Sequence, residues 1–272
     1  SWKLKTFCEK ETRIFDNTMD ITGRLPMIEA TVENLIAMKL SGMAEGLREQ
    51  ISNNAYKDLS FEERLAILVD KEQLSRENRQ LKILLVHAHL RHPNACFEDI
   101  DFRTRRGLSK DVILKLSQNE WVRSHQNVIV VGPTGAGKTY IACALGNAAV
   151  RQGIRTIYVR LPRLAQEMKI ARSDGSFVKL LSRLQRIRLL IIDDWGINPF
   201  TDDERRNFLE IMEDRHNVRS TIIASQFPVD AWHDIIGDPT LADAICDRVV
   251  HNAHKIILKG GESMRKTYST LT

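Results

Sequence analysis

Apolar residues recur at Val32, Leu35, Ile36, Leu40, Met43, Leu47 and Ile51, three or four positions apart. That spacing predicts one amphipathic helix over residues 30–51, weakened by Gly42 and Gly46. A second helix is predicted from SFEE, where Ser60 is placed to cap the first turn and Glu63 to reach back to it. Its pattern runs to about His89 and stops at Pro93. The middle of this helix, DKEQLSRENRQLK, is too polar to be buried on all sides and reads as a solvated face. Residues 19–95 are therefore expected to form a small all-helical N-terminal domain, with a larger domain over 96–272. Residues 1–18, SWKLKTFCEKETRIFDNT, precede Met19 and read as a leader or upstream extension without functional weight.

After Pro93 the period changes. Short β-branched runs, NVIVV at 127–131, TIYVR at 156–160, the run Leu189 to Ile192, STIIASQ at 220–226 and a last strand near Lys255 to Leu258, alternate with helical stretches. One of these, TDDERRNFLEIMEDRHN, opens with Thr201 and Glu204 spaced as a capping box. Another, LADAICDRVV, is expected to end around Arg248. This alternation predicts an α/β domain with a central parallel sheet flanked by helices.

With 272 residues, 43% hydrophobic and 28% charged, and no apolar run near the length of a membrane span, the chain reads as globular and non-membrane. Cys8, Cys96, Cys143 and Cys246 lack paired metal-type spacing, which argues against a zinc module and for a reducing, cytoplasmic setting. A net charge of +5 is a mild excess that permits contact with nucleic acid without demanding it. Arg103, Arg105, Arg106 and Lys110, in an expected loop, are candidate phosphate contacts, with ordinary solvated charge as the equal alternative.

The decisive chemistry lies between the first strand and the following helix. Gly132, Pro133, Thr134, Gly135, Ala136, Gly137, Lys138 and Thr139 fit GxxxxGK[ST] in full. Gly135 and Gly137 let the backbone bend and approach phosphates, so that successive N–H groups form a nest for anionic oxygens. Lys138 supplies charge for the β and γ phosphates, Thr139 a hydroxyl for Mg²⁺, and the helix start directs its positive dipole end to the same place. Tyr140 follows in the first turn and completes the expected nucleotide-contacting set. At the C-terminal end of LLII stand Asp193, the candidate Mg²⁺ ligand, and Asp194, the candidate group for orienting or deprotonating the attacking water. TIYVR adds a strand between the two motifs, as in the ATPases with an added catalytic carboxylate, and the guanine-reading NKxD is absent, so ATP is the expected nucleotide. Ser225 and Gln226 end the next strand, where Gln226 is placed to sense the γ phosphate or the water.

These motifs, VVGPTGAGKTYIA, LLIIDDWG, IIASQFP, DAICDRVVHNAH and the terminal GGESMRK, resemble the IstB branch of the AAA+ ATPases, related to the DnaC helicase loaders. The resemblance spans nearly the whole chain after Met19. It implies an ASCE-type AAA+ P-loop NTPase and an ATP-dependent helper of DNA transposition. Such a helper oligomerises on target duplex DNA with low sequence specificity, deforms it and recruits the transposase of the same element. By the same resemblance, Arg248 is the arginine finger acting on ATP at a subunit interface, with Arg215 and Arg219 as competitors, and Arg265 is a second nucleotide-sensing arginine. Initiator-type members carry an extra helical element facing DNA after the second strand, which places Arg163, Lys169 and Arg172 as candidate DNA contacts. Packing on the sheet is the alternative role of that segment. The sequence departs from the family pattern at Asp194, one methylene shorter than the usual glutamate, so slow hydrolysis is expected. An extra glycine in KGGESMR leaves the register of Arg265 against the family pattern open. The runner-up functions are a replicative helicase loader of the DnaC type and a nonenzymatic DNA-binding scaffold with structural nucleotide.

Overall fold

A computed structural model describes residues 21–102 and 107–260, with side chains from Met27 onward. The chain divides into two compact units after Arg79.

In the first unit, α1 (Ile21–Ala37) is followed by α2 (Ser41–Ser52) and by the start of α3 (Phe61–Ala88). The single helix predicted over 30–51 is thus two. Lys39 adopts φ 62 between them, while Leu40 N donates to Leu35 O at 2.8 Å and Lys39 N to Ile36 O at 2.9 Å. This is a Schellman ending in which a lysine takes the left-handed position that glycine usually fills. Gly42 and Gly46 have a packing role that the sequence pattern concealed. A Cβ on Gly42 would lie 2.6 Å from Lys71 O and 2.7 Å from Glu72 Cα, and one on Gly46 2.9 Å from Leu68 Cδ2. The glycines allow α3 to lie against α2. Glu72 then reaches across to accept from Gly42 N (2.7 Å) and Met43 N (3.2 Å), capping the first turn of α2, which has no side-chain cap of its own. The start of α3 matches expectation: Ser60 N donates to Glu63 Oε2 at 2.8 Å and Glu63 N to Ser60 Oγ at 3.3 Å.

The second unit is built on five strands, β1 (Asn127–Val131), β2 (Thr156–Arg160), β3 (Leu189–Trp195), β4 (Ser220–Ser225) and β5 (Ala253–Ile257). They form one parallel sheet in the order β2-β3-β4-β1-β5. TIYVR lies between the two motif strands in sequence but at the sheet edge in space, and β4 is the strand that separates β1 from β3. Helices α4 (Lys110–Ser117), α5 (Glu120–Arg123), α6 (Lys138–Arg151), α7 (Leu161–Ser173), α8 (Phe177–Arg186), α9 (Asp202–Arg215), α10 (Trp232–Ile236) and α11 (Pro239–Val250) cover the two faces. Strand residues alternate between two cores. Val128, Val130, Ile191 and Ile222 pack with Ile141 and Leu145 of α6, Ile113 of α4 and Trp121 of α5. Ile129, Ile192 and Ile223 pack with Leu164, Phe208 and Ile245 on the other side, around Trp195, Phe200 and Trp232. Leu81, Leu84, Leu85, Ala88 and Leu90 join the first of these cores, so residues 80–95 belong to the sheet unit, whereas the sequence reading assigned them to the helical domain. The capping box at Thr201 and Glu204 forms as predicted. Among the described residues, no helix is long and apolar enough to cross a membrane.

Because the two atoms nearest a Cβ on Gly42 are backbone atoms of α3, Gly42→Ala is expected to destabilise the first unit by about 1–3 kcal/mol through overpacking. Denaturant unfolding followed by a probe in residues 21–79 checks this.

Candidate ATP site

The cleft of about 610 Å³ at the C-terminal edge of the sheet is lined by the glycine loop, by Asp193 and Asp194, by Gln226 and by residues of the 91–101 segment. Gly135 (φ 83) and Gly137 (φ 95) hold the left-handed conformation their loop positions require. Gly132 is needed for a different reason, since a Cβ there would lie 2.8 Å from Leu258 Cβ and O. Lys138 opens α6 and is buried, and its Nζ donates to Pro133 O at 3.0 Å. The ammonium is thereby folded over the loop that would hold phosphate.

Asp193 is 1% exposed and is held from three directions. Thr139 Oγ1 and Tyr158 OH each donate to its Oδ2 at 2.7 Å, and the amide of Asp194 donates to its Oδ1 at 2.9 Å. Burial, followed by the charge of Asp193, raises the pKa of the Tyr158 phenol, so Tyr158 stays a donor. Asp194 has φ 58, and the β3–β4 register shifts between Ile192 and Trp195. A left-handed aspartate costs about 1–2 kcal/mol, and here the turn lifts its carboxylate out of the strand and into the cleft. Arg160, at the end of β2, forms an ion pair with Asp194 through Nε and Oδ2. Gln226 Oε1 accepts from Thr134 Oγ1 at 2.8 Å, which places this side chain across the loop mouth. Ser225 is instead buried, with its Oγ donating to Trp195 O at 3.1 Å, and it ties the ends of β3 and β4 together.

The far end of the cleft was not read from sequence. Arg91, His92, Asp99, Ile100 and Asp101 line it together with Tyr140 and Ile141. Asn147 of α6 pins this segment by donating to Pro93 O and Ala95 O, each at 2.9 Å. Tyr140, a candidate nucleotide contact, lines the cleft at this end: its ring centroid lies 5.8 Å from that of His92, and its hydroxyl accepts from Cys96 N at 3.4 Å. No short motif marks residues 91–101, because they become a wall only when packed on α6.

The other predicted residues are dispersed. Arg248 does not line the cleft. It pairs with Glu213 of α9, Nη2 to Oε1 at 3.1 Å, and donates from Nη1 to Ala244 O at 2.9 Å. Asp243 and Asp247, on the same helix, lie instead beside His233 and His251. Arg215 is 2% exposed and bonds Leu184 O, Ile187 O, Ser220 O and Thr221 Oγ1, so it is structural and no longer a candidate finger. Arg219 Nε donates to Gln185 O at 3.0 Å. Arg163 and Lys169 are exposed on α7. Arg172 is committed to Glu210 (2.7 Å) and Asn207 (2.9 Å) and lies 3.6 Å over the Phe177 ring, which removes it from the free cations. Arg103, Arg105, Arg106 and Arg265 lie outside the described residues.

Residues 33–272 match the family described as IstB-like ATP binding protein. The chain belongs to this family. Among IstB-like relatives, the putative insertion sequence ATP-binding protein y4pL of Sinorhizobium fredii (strain NBRC 101917 / NGR234) is 47% identical over 236 residues, covering 87% of this chain and 96% of its own. The insertion sequence IS21 putative ATP-binding protein of Pseudomonas aeruginosa is 32% identical over 238 residues, covering 88% of each chain. The crystal structure of DnaI superposes with a TM-score of 0.52 at 19% identity, over 65% of this chain and 93% of that one. The replication initiator DnaA bound to AMPPCP and single-stranded DNA gives a TM-score of 0.51 at 17% identity, over 65% of this chain and 53% of that one. At these identities the structural likeness bears on fold, and the fold is the AAA+ P-loop architecture. The IstB-like chain is accordingly an ATPase, with its glycine loop and paired aspartates assembled in one cleft.

The ion pair with Arg160 occupies the Asp194 carboxylate, the candidate group for the attacking water. Arg160→Ala is therefore expected to raise ATP turnover measured without DNA, whereas Asp194→Asn lowers it about 100-fold or more. Phosphate release by the two variants checks both directions.

Proposed function

We propose that the chain is the ATP-dependent DNA-binding regulator of an insertion sequence, assembling on target duplex DNA, deforming or selecting it, and recruiting the transposase of the same element. The observation that carries this reading is the extent of the likeness to insertion sequence ATP-binding proteins, 87% of this chain and 96% of the relative. An ATPase core alone would equally suit a helicase loader, but the family match begins at residue 33 and so takes in the helical unit as well.

Thr139 and Asp193 fit a magnesium site. A hydroxyl and a buried carboxylate oxygen 2.7 Å apart are hard oxygen donors, and phosphate and water complete such a shell in this class of enzyme. Bound there, Mg²⁺ would offset charge on the β and γ phosphates. Lys138 withdraws from Pro133 O to meet those phosphates, the loop amides donate to their oxygens, and Gln226 orients the water that Asp194 polarises once Arg160 releases it. Adenine occupies the end walled by His92, Tyr140 and Ile100.

Arg248 completes the site from a neighbouring copy. Its absence from the lining of its own cleft is the supporting feature, since a guanidinium that serves ATP must then serve another subunit's, exchanging Glu213 for phosphate oxygens. Such an arginine contributes about a thousandfold in rate or more, which makes hydrolysis conditional on assembly. Arg163 and Lys169 on α7 contact DNA phosphates, which bind without reading bases.

Lys138→Ala is expected to weaken ATP binding about tenfold to a hundredfold and to abolish ATP-dependent sedimentation of the protein with duplex DNA. Unchanged co-sedimentation would refute the reading. Capture of a replicative helicase hexamer in place of the transposase would transfer it to the loader class.

A further inference from the structure

Parallel strands bring their entry loops together at the edge opposite the ATP cleft. Arg155, Arg188 and Arg219 immediately precede β2, β3 and β4, which are adjacent in the sheet. The register is level across all three: Thr156 pairs with Leu189 and Leu189 with Ser220. The ladder continues into the arginines, with Leu189 N donating to Arg155 O and Ser220 N to Arg188 O, each at 3.1 Å. At a strand spacing of about 4.8 Å, the three backbone positions span about 10 Å. Arg151 and Arg186, at the ends of α6 and α8, extend the row.

Among the described residues, none of these five arginines is in an ion pair with a carboxylate. Arg151, Arg155, Arg186 and Arg188 are exposed, and Arg219 is half-buried. Beneath them lies Arg215, whose guanidinium meets only neutral acceptors. Burial, and then the charge of Arg219, lower its pKa to about 9. Cation thus lies beside cation here, with no carboxylate at ion-pair distance among the described residues. Complementarity to helix dipoles explains a cation at the end of α6 or α8. It does not explain one at the same level of three successive strands.

We propose that this arginine row at the N-terminal edge of the sheet is a second binding surface for the phosphate backbone of duplex DNA, separate from α7 and from the ATP cleft. The proposal rests on the DNA-binding reading above. A protein partner would call for an apolar centre, whereas the exposed polar neighbours here are Gln152, Gln185 and Asn217, with Val218 as the exposed apolar side chain. Guanidinium groups in a row, without interleaved acid, suit a polyphosphate strand, and they would hold it without sequence preference.

The test is the salt dependence of full-length protein binding to a fluorescent duplex, with ATP present. Arg155→Ala, Arg186→Ala and Arg188→Ala combined are expected to lower the slope of log K against log salt by about 2–3 and to weaken affinity about tenfold or more. The corresponding lysine triple variant should retain most of both. Arg219 is left in place because it bonds Gln185 O, and unchanged binding of a fluorescent ATP analogue reports that the alanine variant is folded. Arg163→Ala with Lys169→Ala is measured in parallel. Normal duplex binding by the alanine triple variant overturns the row while leaving DNA binding by the protein intact. Absence of duplex binding by the wild type overturns both. Capture of polyglutamate but not duplex by the row would assign it to an acidic protein surface and also overturn the proposal.

Discussion

The phosphate-loop helix and two strands of the sheet unit converge on a single buried carboxylate. Asp193 gathers a hydroxyl from α6, a phenol from β2 and an amide from its own strand. A carboxyl group so deeply buried is tolerable only when hydrogen bonds replace the water it lost. Those bonds couple the loop after β1, the strand β3 and the edge strand β2 into one rigid arrangement. With that anchor in place, the next residue can be forced into a left-handed turn, and Asp194 is presented to the cleft while Arg160 holds it.

The sheet also separates two kinds of charge. At its C-terminal edge, loop amides and the start of α6 concentrate partial positive charge for a small anion. At its N-terminal edge stand the arginines of the strand entries, which among the described residues are in no ion pair with a carboxylate. Parallel topology creates this division automatically, since every strand begins at one edge and ends at the other.

Several assignments changed once packing was visible. Arg215 and Arg248 look alike in sequence, each late in an amphipathic helix. One is sealed among four oxygen acceptors, and the other is held at the surface by Glu213, a partner 35 residues away. Gly42 and Gly46 look like defects in a helix and prove to be the contact on which α3 lies. Tyr140 follows the phosphate loop directly, yet faces the opposite end of the cleft, because successive helical residues point about 100° apart.

What the sequence determined by itself was local in origin. The glycine loop, the strand runs, the aspartate pair and the capping boxes at Ser60 and Thr201 are each fixed by neighbours a few residues away, so their patterns survive in one dimension. Strand order, the wall formed by residues 91–101, the partners of Arg172 and Arg248, and the level row of Arg155, Arg188 and Arg219 were decided by tertiary structure alone. They join positions tens of residues apart, and their energies arise from burial and charge that exist only after the chain has closed on itself.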